Sequence, residues 1–179
     1  MRTSTLVLVA YIMCVIVGAA WRLFTGTLHD AIPDVGALTA AYLGLTARRT
    51  VAPSVGGAVV LGYLVDVMSG GPAGLMALVL GLTTIIARTV QQRILVRGTM
   101  MTIAFSAFVA LIAQVAGVLV RFANRMSHAG WATELKHIAL VTLATAVVGP
   151  LVWRLFRRID ATFARTHRER DAALEGLVP

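Results

Sequence analysis

Few residues in this chain are suited to chemistry, and one acid stands apart from the rest. Asp66 is the only acidic residue between Asp34 and Glu134, and long apolar segments precede and follow it. A carboxylate in apolar surroundings is costly unless it has a partner, so its position indicates a structural pairing or a binding site. A tight turn follows at once, with Ser69, Gly70, Gly71, Pro72 and Gly74.

The sequence contains no residue pattern typical of a catalytic site or of a metal site. The histidines at positions 29, 128, 137 and 167 lack the spacing of a metal site or of a catalytic motif on a helix. Ser106 lies alone in an apolar segment, and Cys14 is the only cysteine, so no nucleophile–base pair or disulfide is indicated. The sequence therefore predicts a protein that is not an enzyme and that binds no cofactor or metal.

The composition indicates that membrane helices position these residues. Of the 179 residues, 58% are hydrophobic and 13% are charged, and the mean hydropathy is +0.83, values outside the range of ordinary soluble domains. Apolar segments occupy residues 5–21, 33–47, 51–68, 72–90, 99–120 and 138–156. Since a span takes about 20 residues, we expect an all-α, polytopic integral membrane bundle of about six transmembrane helices.

One bundle is predicted for residues 1–156, followed by a basic cytoplasmic tail at residues 157–179. The second apolar segment is short, so it crosses with little tilt, thins the bilayer locally or re-enters. The first segment has features of a cleaved signal peptide, but a polytopic chain needs no cleavage and an uncleaved helix is expected. The start of the tail alternates arginines with apolar residues at helical spacing. This pattern favours a helix on the inner membrane surface, held by lipid or by a cytoplasmic partner.

The basic residues predict the orientation. With the N-terminus in the cytoplasm, twelve of the 16 basic residues fall on the cytoplasmic side, a strong bias under the positive-inside rule. The other four are Arg22, Arg121, Arg125 and Lys136. Both termini are therefore predicted to be cytoplasmic. The net charge of +8 is explained by topology and anionic lipid headgroups rather than by nucleic acid.

Small residues recur four positions apart in the apolar segments. The pairs are Ala37 and Ala41, Ala40 and Gly44, Ala58 and Gly62, Ala77 and Gly81, and Ala113 and Gly117. This spacing lets helix backbones approach closely in a membrane, where the hydrophobic effect does not drive helices together. We expect a tightly packed bundle, with faces that are able to receive another protein's helix.

In this topology Asp34 and Asp66 lie at a similar depth near the outer surface, where the four outer basic residues make an acid–base cluster available. For Asp34, which follows Pro33, the favoured interpretation is a helix start stabilised by the helix dipole, and a place in this cluster is the alternative. For Asp66 the alternative is a helix end at the interface, but an intramembrane acid usually has a specific partner.

Several motifs in the first half of the chain together resemble a known family. They are Pro33-Asp34 ahead of an apolar segment, the Arg48-Arg49 break, a helix with Gly56, Gly57 and Gly62, and the turn Asp66-Val67-Met68-Ser69-Gly70-Gly71-Pro72-Ala73-Gly74-Leu75. In this order they resemble the bacterial rod shape-determining protein MreD family, which has a similar length and six spans. The later helices match that family only in hydropathy and order.

The resemblance implies a non-enzymatic scaffold or regulatory subunit of the cell-elongation machinery in the bacterial inner membrane. Its partners would be a single-span MreC-like protein and, through it, a RodA-type glycosyltransferase, a penicillin-binding transpeptidase and the MreB filament. The family's fold is also similar to the substrate-binding subunits of energy-coupling-factor vitamin transporters, so a small-molecule-binding membrane subunit is the alternative. Such a subunit needs a pocket with convergent polar groups, whereas the polar residues within the apolar segments are scattered along this sequence.

The topology is testable by reporter fusions. We expect a reporter that is active only in the cytoplasm to be active when fused at Val178, and a fusion near Met126 to behave as external, because the basic residues retain both termini inside. The opposite pattern would overturn the six-span arrangement.

Overall fold

The computed structural model describes residues 2–21, 23, 31–47, 51–70, 72–92, 98–125 and 130–175, with the backbone alone for Arg2 and residues 163–175. Across these residues the chain forms six α-helices and no β-strand. The helices are α1 (Arg2–Trp21), α2 (Val35–Thr46), α3 (Ala52–Ser69), α4 (Leu75–Gln91), α5 (Thr99–Ala123) and α6 (Trp131–Glu175). The all-α class predicted from the sequence is confirmed.

The helices follow the apolar segments closely, and the largest difference is in α6. Its apolar segment begins at residue 138, but the helix begins at Trp131, because the polar turn that contains Glu134 is itself helical. The helix also continues without a break from the apolar segment to Glu175 and contains Pro150. The predicted tail at 157–179 therefore starts as an extension of α6 rather than as a separate element.

Four helical segments are long and apolar enough to cross a membrane: Thr3–Trp21, Ala52–Ser69, Thr99–Ala123 and Trp131–Thr162. The other two helices are shorter, with 12 residues in α2 and 17 in α4. At 1.5 Å per residue α2 is about 18 Å long, well short of a hydrocarbon core of about 30 Å. The helices thus support a membrane bundle, in which α2 by itself is too short to cross the hydrocarbon core.

The other five helices surround α2. Every residue from Val35 to Gly44 is buried, and α2 contacts α1, α3, α4, α5 and α6. A helix that is apolar on all sides is stable only when it is covered all round. In this bundle protein, rather than lipid, surrounds most of α2.

Two glycines set the spacing between neighbouring helices. A Cβ atom on Gly62 of α3 would lie 2.5 Å from the backbone nitrogen and Cα of Ala77 in α4, and one on Gly44 of α2 would lie 2.5 Å from the carbonyl oxygen of Thr84. The predicted close approach is therefore present at Gly44 and Gly62. Gly117 is different, because nothing lies within 4 Å of its built Cβ.

An aromatic cluster joins α2, α5 and α6 near the C-terminal end of α2. The ring of Tyr42 lies 5.2 Å from that of Phe156, and the ring of Trp153 lies 5.7 Å from that of Phe105. The Tyr42 hydroxyl donates a hydrogen bond of 2.6 Å to Oδ2 of Asp160. These contacts fix the angle at which α6 leaves the bundle.

The close contact at Gly62 predicts a sharp difference between two glycines of α3. Gly62→Ala should lower the free energy of unfolding by about 1–3 kcal/mol, because the new methyl group meets backbone atoms that cannot rotate away. Gly56→Ala is the matched control, since no atom lies within 4 Å of its built Cβ. Thermal unfolding in mild detergent measures both, and equal midpoints for the two variants would contradict the packing.

Candidate functional site

The carboxylate of Asp66 binds the first turn of the next helix. Asp66 lies one turn before the end of α3 and is 2% exposed. Its Oδ2 accepts from the backbone N–H groups of Gly74 at 2.9 Å and Ala77 at 3.4 Å, and the N–H of Met76 lies 3.0 Å from both oxygens. Because the first amides of a helix have no acceptor within it, a carboxylate there supplies both hydrogen bonds and a favourable charge. Asp66 thus caps α4 from α3.

The turn after Asp66 makes this geometry possible. The Ser69 hydroxyl donates to the carbonyl oxygen of Asp66 at 3.2 Å. Gly70 ends α3 with a φ of 67°, and Gly74 precedes α4 with a φ of 96°. Both angles are in the left-handed region that favours glycine. Pro72 contributes a carbonyl that accepts from the N–H of Leu75 at 3.2 Å, and Gly71 lies outside the described residues.

Gly62 and Asp66 act on the same helix start. They are four residues apart, so they lie on one face of α3. Gly62 lets the Met76–Ala77 backbone approach, and Asp66 hydrogen-bonds the amides of those two residues. The sequence indicated a partner for Asp66, and the structure identifies backbone amides in that role.

Asp34 caps its own helix and ties it to two others. Its side chain accepts from the N–H of Ala37 at 2.8 Å, so it is the N-cap of α2, which confirms the helix-start interpretation. Gln114 of α5 donates to Asp34 Oδ2 at 3.3 Å. The Asp34 N–H donates to the hydroxyl of Thr145 in α6 at 2.9 Å. Pro33, just before it, is buried.

The expected acid–base cluster has a different form. Arg121 of α5 pairs with Glu134 of α6, with 3.4 Å between the nitrogen and the oxygen. Among the described residues no basic side chain hydrogen-bonds to Asp34 or Asp66, because backbone amides and Gln114 satisfy these carboxylates. The side chain of Arg22 lies outside the described part of the chain.

A cavity of about 430 Å³ opens between these groups. We call this end of the bundle the Asp66 end. Residues of all six helices line the cavity, and the polar ones are Asp34, Asp66, Ser69, Gln114, Arg121 and His137. Most of the remaining lining is apolar and includes Cys14, Val79 and Gly117. The open space beside Gly117 is therefore cavity rather than a helix contact.

The sequence placed Arg121 on the same side as the acids, but it did not group Gln114 and His137 with them. Gln114, Gly117 and Arg121 recur at helical spacing, so they share one face of α5, and this was the available signal. His137 comes from α6, and only the fold brings it to the same cavity. Within the described residues no group of three or more His, Cys, Asp or Glu side chains is arranged to hold a metal ion.

The arrangement is chemically one of helix caps around an open cavity. Its two carboxylates are engaged by helix N-termini, and its cation is paired with Glu134. Such groups orient helices and present polar atoms to whatever enters the cavity.

Comparison with known proteins gives no match to a protein-family model, to a curated protein or to a solved structure.

The cap at Asp66 predicts a graded loss of stability. Asp66→Ala leaves the amides of Gly74, Met76 and Ala77 without their acceptor, and should lower the free energy of unfolding by about 2 kcal/mol. Asp66→Asn keeps one acceptor oxygen and should lose less. Ser69→Ala, which removes one hydroxyl hydrogen bond at the same turn, should lose about 1 kcal/mol or less.

Thermal unfolding in mild detergent gives the order of these midpoints. A midpoint for Asp66→Ala equal to that of the unaltered protein would show that the cap does not stabilise the bundle.

Proposed function

We propose that this chain is a non-enzymatic scaffold or regulatory subunit of a bacterial cell-elongation complex, with a role like that of the MreD family. The proposal starts from the sequence resemblance, and one structural observation carries it further. Part of the sequence that carries the resemblance, from Gly62 to Gly74, forms one structural unit in which a helix contact, a helix cap and two left-handed glycines cooperate. A turn built so specifically serves to hold the shape of the Asp66 end.

The proposed placement is the bacterial inner membrane, with six spans and both termini in the cytoplasm. In this placement α2 and α4 are short spans, and α2 is shielded from lipid by its neighbours. The described basic residues support the orientation, because Arg154, Arg157 and Arg158 lie on α6 at the end opposite Asp66. The Asp66 end then faces outward.

The partner we propose is an MreC-like protein that crosses the membrane once. A groove of about 370 Å³ runs between α1 and α3 near the Asp66 end. Its lining includes Gly18, Ala19 and Met68, and no atom lies within 4 Å of a Cβ built on Gly18. Small residues beside open space let a second helix pack closely in a membrane. A single transmembrane helix seated there would place the partner's outer domain beside the Asp66 turn.

Through that partner the chain would reach the RodA-type glycosyltransferase, the penicillin-binding transpeptidase and the MreB filament. The role of this chain would be to position the partner, since the groups at the Asp66 end hold the helices in place. Asp66 connects the partner groove with the position of α4. Its neighbours on α3, Val65 and Ser69, line the groove, and its carboxylate accepts hydrogen bonds from the first turn of α4.

A second candidate function is supported by the cavity at the Asp66 end. Its volume of about 430 Å³ is within the usual range for small-molecule pockets, about 300–1,000 Å³. Asp34, Gln114, Arg121 and His137 bring polar atoms to one apolar space, and the sequence did not indicate that Gln114 and His137 would join it. A substrate-binding subunit of a vitamin-type transporter, with a fold like that of energy-coupling-factor proteins, would use such a cavity.

Purification of the tagged protein in mild detergent distinguishes the two functions. Recovery of MreC-like, RodA-like or transpeptidase chains supports the scaffold. An ATPase-coupled membrane partner, or a small molecule released when the purified protein is denatured, supports the transporter subunit.

Two variants test the partner surface. Asp66→Ala and Gly18→Leu should each reduce recovery of the MreC-like chain by about tenfold, which corresponds to about 1.4 kcal/mol of binding free energy. The first loosens the outer turn and the second fills the groove. Gly56→Leu is the control, because Gly56 is exposed on α3 and does not line the groove. Unchanged recovery of the partner with both test variants, at equal expression, would contradict the proposed surface.

A further inference from the structure

A second cavity lies at the end of the bundle opposite Asp66. It has a volume of about 390 Å³ and is formed by the first turn of α5 and by α6 from Pro150 onward. Thr99 and Thr102 line one side, and Leu151, Arg154 and Arg157 line the other. We call this cavity the Arg154 groove.

The two arginines give the groove its charge. Arg154 and Arg157 are three residues apart and so lie on one face of α6. Both are exposed, and among the described residues neither guanidinium has a hydrogen-bond or ion-pair partner. No acidic residue lines the groove within the described part of the chain. Asp160, the next acid along α6, accepts from Tyr42 of α2 instead.

An apolar stripe leads from the groove along α6. Leu143, Val147 and Leu151 follow one another at intervals of four residues, and their exposed fractions are 65%, 68% and 71%. Leu151 belongs to the stripe and also lines the groove. In a membrane bundle such exposed side chains face the acyl chains of lipid. The cationic groove and the lipid-facing stripe are therefore continuous.

We propose that the Arg154 groove binds the phosphate of an anionic phospholipid headgroup, with the acyl chains of that lipid lying along the stripe of Leu143, Val147 and Leu151. Arginine suits this role, because its planar guanidinium hydrogen-bonds two phosphate oxygens at once. The stripe favours a lipid over free phosphate, since only a lipid occupies both surfaces together. This inference requires membrane insertion but does not depend on the proposed partner or on the cell-elongation role.

Lipid titration followed by native mass spectrometry tests the site. The full-length protein is purified in detergent, and phosphatidylglycerol or zwitterionic phosphatidylcholine is added in steps. We expect phosphatidylglycerol to bind more tightly, and Arg154→Gln or Arg157→Gln to weaken its binding by about fivefold each. Arg158→Gln is the matched control, because it removes the same charge from the adjacent position without lining the groove, and it should change binding by less than twofold.

Three results would overturn the proposal. An equal loss with Arg158→Gln would show general attraction to a basic surface rather than a site. Full binding in the doubly substituted Arg154→Gln, Arg157→Gln protein would show that the lipid sits elsewhere. Displacement of the lipid by an excess of inorganic phosphate would assign the groove to free phosphate.

Thermal midpoints equal to that of the unaltered protein establish that the variants are folded. Compared with Arg157→Gln, Arg157→Lys should restore part of the affinity, because it restores the charge but not the planar group.

Discussion

The hydrogen bonds from the first amides of α4 to the Asp66 carboxylate are the interaction on which the rest of this structure depends. They join the end of one helix to the start of the next with distances of 2.9–3.4 Å, and the Asp66 side chain that accepts them is buried. The adjacent contact at Gly62 holds the same backbone from the side. Since α4 packs on α2, α3 and α5, the position of its first turn is transmitted to most of the bundle. Asp66, the acid that stands apart in the sequence, in this way fixes the position of α4 against α3.

The Asp66 end and the opposite end of the bundle are built on different principles. At the Asp66 end helix termini meet around a cavity, and polar side chains such as Asp34 and Gln114 satisfy their amides and carboxylates. At the opposite end large rings fill the space between α2, α5 and α6, with Tyr42 and Trp153 edge to face at 6.1 Å. The Asp66 end is thus open and polar around its cavity. At the opposite end aromatic packing closes the space between α2, α5 and α6, and the Arg154 groove lies between α5 and α6.

Much of the fold was predictable from the sequence, because apolar segments bounded by Gly, Pro and Arg predict membrane helices well. The prediction for Asp34 as a helix start succeeded for a similar reason, since an N-cap is a local arrangement. The chemical type of the groups that bind Asp66 was not predictable from the sequence. Composition points to the distant arginines, whereas the amides of Met76 and Ala77 become available only when the turn reverses the chain. The cavity was missed because His137 and Gln114 come from different helices, and their meeting depends on tertiary packing.

The enclosure of α2 has a consequence for the order of assembly. During synthesis α2 leaves the ribosome before α4, α5 and α6, yet its contacts with those helices cover the residues from Val35 to Gly44. A helix of about 18 Å cannot by itself match the hydrocarbon thickness. Its native surroundings therefore exist only after the later helices have entered the membrane, and closure around α2 belongs to the last stage of folding. A short helix at the centre makes the completed bundle, rather than any single span, the unit that is stable in the bilayer.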